Sequence, residues 1–417
     1  MTRRSDAFAA LRNPLVRAFA LGRVCSGMGI QILSTAVGWQ LYLQTGDAWS
    51  LGFVGLVQLI PMILFTVPSG NAADRFPRRN QAILANLLLA GAAFGLALSS
   101  WLAAPLPVVY ALLFLVGTAR AIAWPAQNTI LPQLIDPADY VNANLWLSSS
   151  FHLATITGPA LGGVLIAATG GVAWAYVASG VGVLLFVGAL TGFPAVRPPP
   201  ATAKRTAKDT FAGLAYIRRV PIFLAAISLD LFAVLLGGAV ALLPIFAKDI
   251  LHAGPVGLGW LRAAPSLGAL GTALILTRLP PLGRPGRILL VVVAGFGAAT
   301  VGFGLSKTMA LSLVCLFLTG AFDQVSVTIR QTLEQILTPD RLRGRVSSVN
   351  AVFISFSNEL GAFESGATAA LFGAIPSVVG GGLGTILVVA IVARHWPVLS
   401  QLGPLATLRP PVESGVD

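Results

Sequence analysis

Residues 70–80 read GNAADRFPRRN. This polar segment, with Asp74, Arg75, Arg78 and Arg79, joins two apolar runs at 51–72 and 81–102. At 1.5 Å per helical residue, each run is long enough to cross a hydrocarbon layer about 30 Å thick. Two apolar helices around a basic loop form a membrane hairpin, with the loop on the side that retains Lys and Arg.

The rest of the chain repeats the pattern. Of 417 residues, 56% are hydrophobic and only 10% charged, where a soluble domain carries about 25% charge. Apolar runs fall at 18–43, 51–72, 81–102, 107–126, 144–168, 172–193, 222–246, 256–277, 288–306, 309–330, 346–372 and 376–394. The longest polar interruption, 194–221, begins FPAVRPPPATAKRTAKD, and its prolines cannot continue a helix. It is expected to be a linker between an N-terminal six-helix half (1–193) and a C-terminal six-helix half with a tail (222–417).

Lys and Arg set the orientation. Arg3, Arg4, Arg12 and Arg17, the 70–80 loop, Arg197 to Arg219, Arg278, Arg284, Arg287, Arg341, Arg343 and Arg345 all fall on one side. Only Lys248 and Lys307 fall on the other. Both termini are expected to be cytoplasmic, and the net charge of +12 is topological. It signals contact with membrane lipid headgroups and no nucleic acid. Cys25 and Cys315 offer no disulfide framework, and His152, His252 and His395 are too scattered for a metal site. No metal or other cofactor is expected. The first apolar run is long and lacks a small-residue cleavage site, so no cleavable signal peptide is expected.

The two halves also repeat in sequence. QNTILPQLIDPADYVNANLWLSSS follows the fourth run and RQTLEQILTPDRLRGRVSSVNAVF the tenth. Aligning Pro137 with Pro339 also pairs Leu131 with Leu333 and Gln133 with Gln335. Parallel repetition of six-helix units describes a transporter that rocks about a central site, one that a single chain completes as a monomer.

The 70–80 loop resembles the signature GxxxDRxGRR of the major facilitator superfamily, with Pro77 where Gly is usual. The resemblance implies an all-α integral membrane fold with twelve transmembrane helices in two six-helix halves. It also implies a cytoplasmic gate: Gly70 for close helix approach, Asp74 meeting the start of the eleventh span near Gly344–Val346, and Arg75, Arg78 and Arg79 at the surface. In the fifth span, TITGPALGGVL carries Gly158, Pro159, Gly162 and Gly163. This is similar to the end of the antiporter motif of exporters in that superfamily, with Ala154 replacing an upstream glycine. Stretches such as DLFAVLLGGAVALLPIFAKD and SNELGAFESG resemble its drug- and siderophore-efflux branch.

Ionisable residues inside membrane spans are functional candidates by default. Here they are Asp230, Asp323, Glu359 and Glu364, with Arg330 and the cations Arg23, Arg120 and Arg262 as prospective partners. Asp323 and Arg330 lie seven residues apart on one helical face, suited to a relay or a static bridge. Glu359 and Glu364 are five apart, about 140° around the helix, so they do not form one pair on one face. Gln31, Gln40 and Gln58 are further candidates for a pocket lining. The reading is a proton-coupled exporter of a small amphiphilic molecule, either a siderophore or a drug. The alternatives are an importer or facilitator on the same fold, or a membrane sensor. No Walker A loop, HExxH or nucleophile–base set points to an enzyme.

Overall fold

Asn13 opens the first long helix: its side chain accepts from the Leu15 amide at 2.9 Å, and Pro14 occupies the first helical position. Both residues suit a helix start, where amides lack internal partners. Gly46, at φ 63°, closes the same helix by donating to the Tyr42 carbonyl, a left-handed C-terminal cap that glycine adopts without strain. This computed structural model describes residues 8, 10–196, 214–280 and 283–405.

The long helices are α1 (Pro14–Thr45), α2 (Ala48–Ala73), α3 (Arg78–Trp101), α4 (Leu106–Ile130), α5 (Pro137–Thr169) and α6 (Ala173–Thr191). They continue with α7 (Pro221–Leu236), α8 (Gly254–Leu276), α9 (Pro285–Leu305), α10 (Met309–Leu337), α11 (Asp340–Phe372) and α12 (Ala374–His395). Among the described residues, nine helical segments are long and apolar enough to cross a membrane. The other three long helices are more polar: α1 carries Arg17 and Arg23, α8 Arg262, and α11 Glu359 and Glu364. Large apolar side chains such as Leu21, Leu84, Leu98, Val291 and Leu387 stand exposed, as lipid-facing helices require.

Two contact-defined units divide the chain. One comprises the described residues of Met1–Gly46, Leu56–Arg205 and Ala253–Ala263; the other, those of Asp47–Gly55, Thr206–His252 and Ala264–Asp417. In the first, α1 packs on α5 and α6, and α3 on α4 and α6. In the second, the same pairs recur six helices later: α7 with α11 and α12, and α9 with α10 and α12. Small residues permit this packing. A methyl on Gly29 of α1 would lie 2.7 Å from the Ser179 carbonyl of α6, and one on Gly297 of α9 2.8 Å from that of Gly382 on α12. Phe19, Phe186 and Phe193 fill one core; Phe223, Leu229, Leu289 and Ile329 fill the other.

Two details add to the sequence reading. Each unit includes the beginning of one helix from the other half of the chain, residues 48–55 of α2 and 254–263 of α8. The end of the expected linker is also folded: residues 214–219 are helical, Ile217 is buried, and the Tyr216 hydroxyl donates to the Leu337 carbonyl. Apolar Ile217 and Val220 join the core, which the flanking charges masked in sequence. The proline-rich 197–213, Arg3, Arg4 and the tail from 406 lie outside the described residues.

Candidate functional site

In the second unit, Asp230 on α7 and Arg330 on α10 are each 8% exposed and form an ion pair between Oδ2 and Nη1. Ser326, one turn before Arg330, accepts from its Nε at 3.3 Å. Asp323 lies two turns before Arg330 on the same face of α10. It lines, with Asp230, Ser326, Phe296 and Phe322, a cavity of about 10 Å³, the scale of one water molecule. No hydrogen bond or ion pair among the described residues reaches the Asp323 carboxylate. Of the two arrangements expected for Asp323 and Arg330, a relay or a static bridge, the static bridge is made by Asp230 instead, because α7 brings its own acid to the guanidinium. The group has two carboxylates, one guanidinium and room for a water. Protonating Asp230 would remove the counter-charge that holds Arg330.

Seven residues beyond Asp230, α7 stops at Gly237–Gly238 and continues as a 3-10 turn, Ala239–Leu242. Glycine is the weakest ordinary helix former, and Pro244 just beyond lacks an amide hydrogen to donate. The break lets α7 run close to α11: a methyl on Gly238 would lie 2.6 Å from Ser365 Oγ and 2.8 Å from the Gly361 carbonyl.

On α11, the face holding Glu359, Ala362 and Gly366 meets the start of α2. A methyl on Gly55 would approach Ala362 Cβ to 3.0 Å, and one on Gly52 the Gly366 Cα to 3.2 Å. Trp49 and Phe53 each place a ring 6.2 Å from that of Phe363. The opposite face holds Gly361 against the Val234 carbonyl, and Thr368 bonded to Ser377 of α12 at 2.7 Å. Half-buried Glu364 accepts from Ser365 Oγ at 3.5 Å. Small residues on both faces thus seat α11 between two neighbours, and no bond joins Glu364 to the Asp230–Arg330 pair.

In the first unit, Arg23 of α1 donates to Gln127 Oε1 of α4 at 2.6 Å. Arg120 of α4 donates to Gln58 Oε1 of α2 at 2.8 Å. Arg262 of α8 donates to Ser34 Oγ of α1 at 2.6 Å and to the Ser34 carbonyl at 3.3 Å. Arg23 and Arg262 were prospective partners for the acids. Among the described residues they meet neutral groups only, because the long spans of their unit carry no acid in their interiors. Gln40 is no pocket residue: it is 4% exposed and accepts from the Tyr176 hydroxyl at 2.6 Å.

The 70–80 loop turns tightly. The Asp74 amide donates to the Gly70 carbonyl, and the Arg75 and Phe76 amides donate to that of Ala72. Pro77, at φ −54°, precedes the first residue of α3, so the departure from glycine is compatible with the turn. Arg78 donates to the carbonyls of Ala73 and Thr129, at 3.3 and 3.2 Å, covering the carbonyl ends of α2 and α4. Arg75 is exposed and Arg79 half-buried. Gly70 does not serve close helix approach, since a methyl there meets nothing within 4 Å; its neighbours within the turn leave that side open. The glycines of α5 do pack closely. Methyls on Gly158 and Gly162 would crowd Gln31 and Ile32 of α1, while Gly163 and the Pro159 carbonyl abut Gly259 of α8.

Sequence reasoning missed Glu334, which is 7% exposed and accepts from Ser347 Oγ and, at 2.7 Å, from Asn350 Nδ2. The repeat held a signal: at the same offset its counterpart is Pro132, where the first copy leaves α4 for a 3-10 turn.

Comparisons with known proteins agree with this architecture. The family model described as Major Facilitator Superfamily matches residues 19–362. The chain is 28% identical over 406 residues to the Enterobactin exporter EntS of Citrobacter koseri, covering 97% of this chain and 96% of that one. The protein of the same name from Shigella boydii is 28% identical over 377 residues, 90% of each chain. Among solved structures, a bacterial homolog of the human lysosomal transporter Spinster, inward-facing and occupied, aligns at TM-score 0.73 and 14% identity, covering 96% and 99% of the two chains. A POT family transporter in complex with 5-aminolevulinic acid aligns at TM-score 0.74 and 10% identity, covering 92% and 96%. With a family model spanning most of its length and the paired six-helix packing it requires, the chain belongs to the Major Facilitator Superfamily and is a multi-pass membrane transporter.

Proposed function

We propose that this transporter exports a small amphiphilic molecule of the siderophore or drug kind from a bacterial cytoplasm, by proton antiport with alternating access. Both termini then face the cytoplasm, and a monomer in the inner membrane suffices. The observation that carries the reading is the buried Asp230–Arg330 pair with Asp323 on the same small cavity. A proton arriving at Asp230 removes the charge that holds Arg330, and the guanidinium can turn toward Asp323, seven residues along its own helix. Loss of the proton reverses the exchange. The relatives named for enterobactin export and the glycines of α5 support the outward direction. Asp74, with Arg75, Arg78 and Arg79, supplies the cytoplasmic latch, and Glu359 and Glu364 remain candidates for the substrate path.

The test uses proteoliposomes, with enterobactin as the probe and flux normalised to folded protein. A pH gradient should drive enterobactin transport in the wild type. Asp323→Asn, which breaks no hydrogen bond or ion pair among the described residues, should fold normally and lose gradient-driven transport about tenfold or more while retaining enterobactin exchange. Gradient-driven flux at wild-type level in both Asp323→Asn and Asp230→Asn would remove this group from proton coupling. Uptake into deletion cells that exceeds uptake into complemented cells supports export; the opposite result favours import.

A further inference from the structure

Charge is divided unevenly along the molecule. Away from their ends, α7 and α9–α12 hold Asp230, Asp323, Glu359 and Glu364 against Arg330 alone. The interiors of α1–α6 hold Arg23 and Arg120 and no acid, and Arg262 belongs to the part of α8 in the same unit. Arg23 and Arg262 are half-buried, and among the described residues neither meets a carboxylate. Gln127 and Ser34 orient these guanidinium groups without neutralising them, and each guanidinium has further N–H donors. A purely structural tie between α1, α4 and α8 needs only a hydrogen bond, which a neutral side chain makes at lower desolvation cost. The charge itself calls for a counter-charge.

The positions are ordered. Arg23, and Ser34 which holds Arg262, lie eleven residues apart on one face of α1, about 16 Å along its axis. On α4, Arg120, Trp124 and Gln127 follow at helical spacing, and Trp124 is 61% exposed, a flat apolar surface one turn from Arg120 and on the face of α4 that holds Gln127.

We infer that the first unit carries the substrate-recognition surface, and that its ligand is an amphiphile bearing acidic oxygens. Arg23 and Arg262 provide the counter-charge and Trp124 the apolar contact. This rests on the transporter reading and deepens it: the anionic substrate meets one set of helices, and the acids of the other are left for the proton.

The test uses the full chain in detergent and two xanthene dyes of opposite charge, anionic carboxyfluorescein and cationic rhodamine 6G, titrated by fluorescence polarisation. Carboxyfluorescein should bind saturably and at least about tenfold more tightly than rhodamine 6G. Arg23→Gln and Arg262→Gln should each weaken it about tenfold or more, the loss of one charge-assisted contact. Arg23→Lys and Arg262→Lys should keep part of the affinity. Because the partners are neutral, the Gln variants should hold or raise the thermal midpoint of the ligand-free protein. No saturable binding of carboxyfluorescein, equal or stronger binding of rhodamine 6G, or Gln variants that bind like wild type would each overturn the inference. Enterobactin flux that continues despite such a result leaves export intact, whereas anion binding without any flux sinks export and spares the recognition site.

Discussion

At the scale of single residues, the second unit sets two acids in different states. Asp230 is committed to Arg330, and Asp323 faces the same cavity with no bonded partner among the described residues. Neutralising them should therefore have unequal structural effects. Asp230→Asn removes the carboxylate bonded to Arg330 but leaves an amide oxygen, Ser326 and the Asp323 charge near it, so it should destabilise by less than the about 3–5 kcal/mol of a fully stranded buried charge. Folded yield and thermal midpoint should fall, and the double variant Asp230→Asn/Arg330→Gln should recover much of the loss. Equal thermal midpoints for Asp230→Asn and Asp323→Asn would contradict the observed pairing. The sequence showed that these acids are deep, because each interrupts an apolar run. It also put Asp323 and Arg330 on one face, which helical spacing gives. It could not show which acid takes the guanidinium, because that depends on how α7 packs on α10.

At the scale of elements, glycines with similar motif credentials behave differently. A methyl on Gly158 would come within 2.6 Å of Gln31 Cβ and 3.0 Å of the Met28 carbonyl, whereas one on Gly70 meets open space. Gly158→Val should thus cost about 1–3 kcal/mol through overpacking, with lower folded yield and transport, while Gly70→Ala should match wild type in both. Size-exclusion profiles and flux for the pair check this, and a well-folded, fully active Gly158→Val would argue against tight α1–α5 packing. The motif of α5 was legible as a run of small residues; the partners it presses against were not, because they come from α1 and α8, distant in sequence. The repeat was legible from a few matched residues. One divergence between its copies is Pro132 opposite Glu334, and only the packing of α11 on α10 gives that glutamate its two donors.

At the scale of the whole molecule, composition alone assigned the chain to a membrane, and the arginine pattern set an expected orientation that depends on parity. Six spans return the chain to its starting side at the linker, and twelve return it there at the C-terminus. The weak links are α1, α8 and α11, whose arginines, glutamates and glycines make them the least lipid-like of the long helices. Their polar residues are held by neighbouring helices, as Arg23 is by Gln127 and Arg262 by Ser34, so each can cross without offering a charge to lipid. If one of them lay along the surface instead, every later loop would change sides. With Cys25 and Cys315 replaced, single cysteines at Thr206, in the linker, and at Gln401, beyond α12, should react with an impermeant maleimide only after permeabilisation. Cysteines at Asp47 and Lys307 should react in intact cells. Failure of α1 to cross would invert all but the N-terminus, whereas failure of α8 or α11 would leave Thr206 protected and expose Gln401. Labelling of Gln401 in intact cells with Thr206 still protected would thus count eleven crossings and place the error in the second half of the chain.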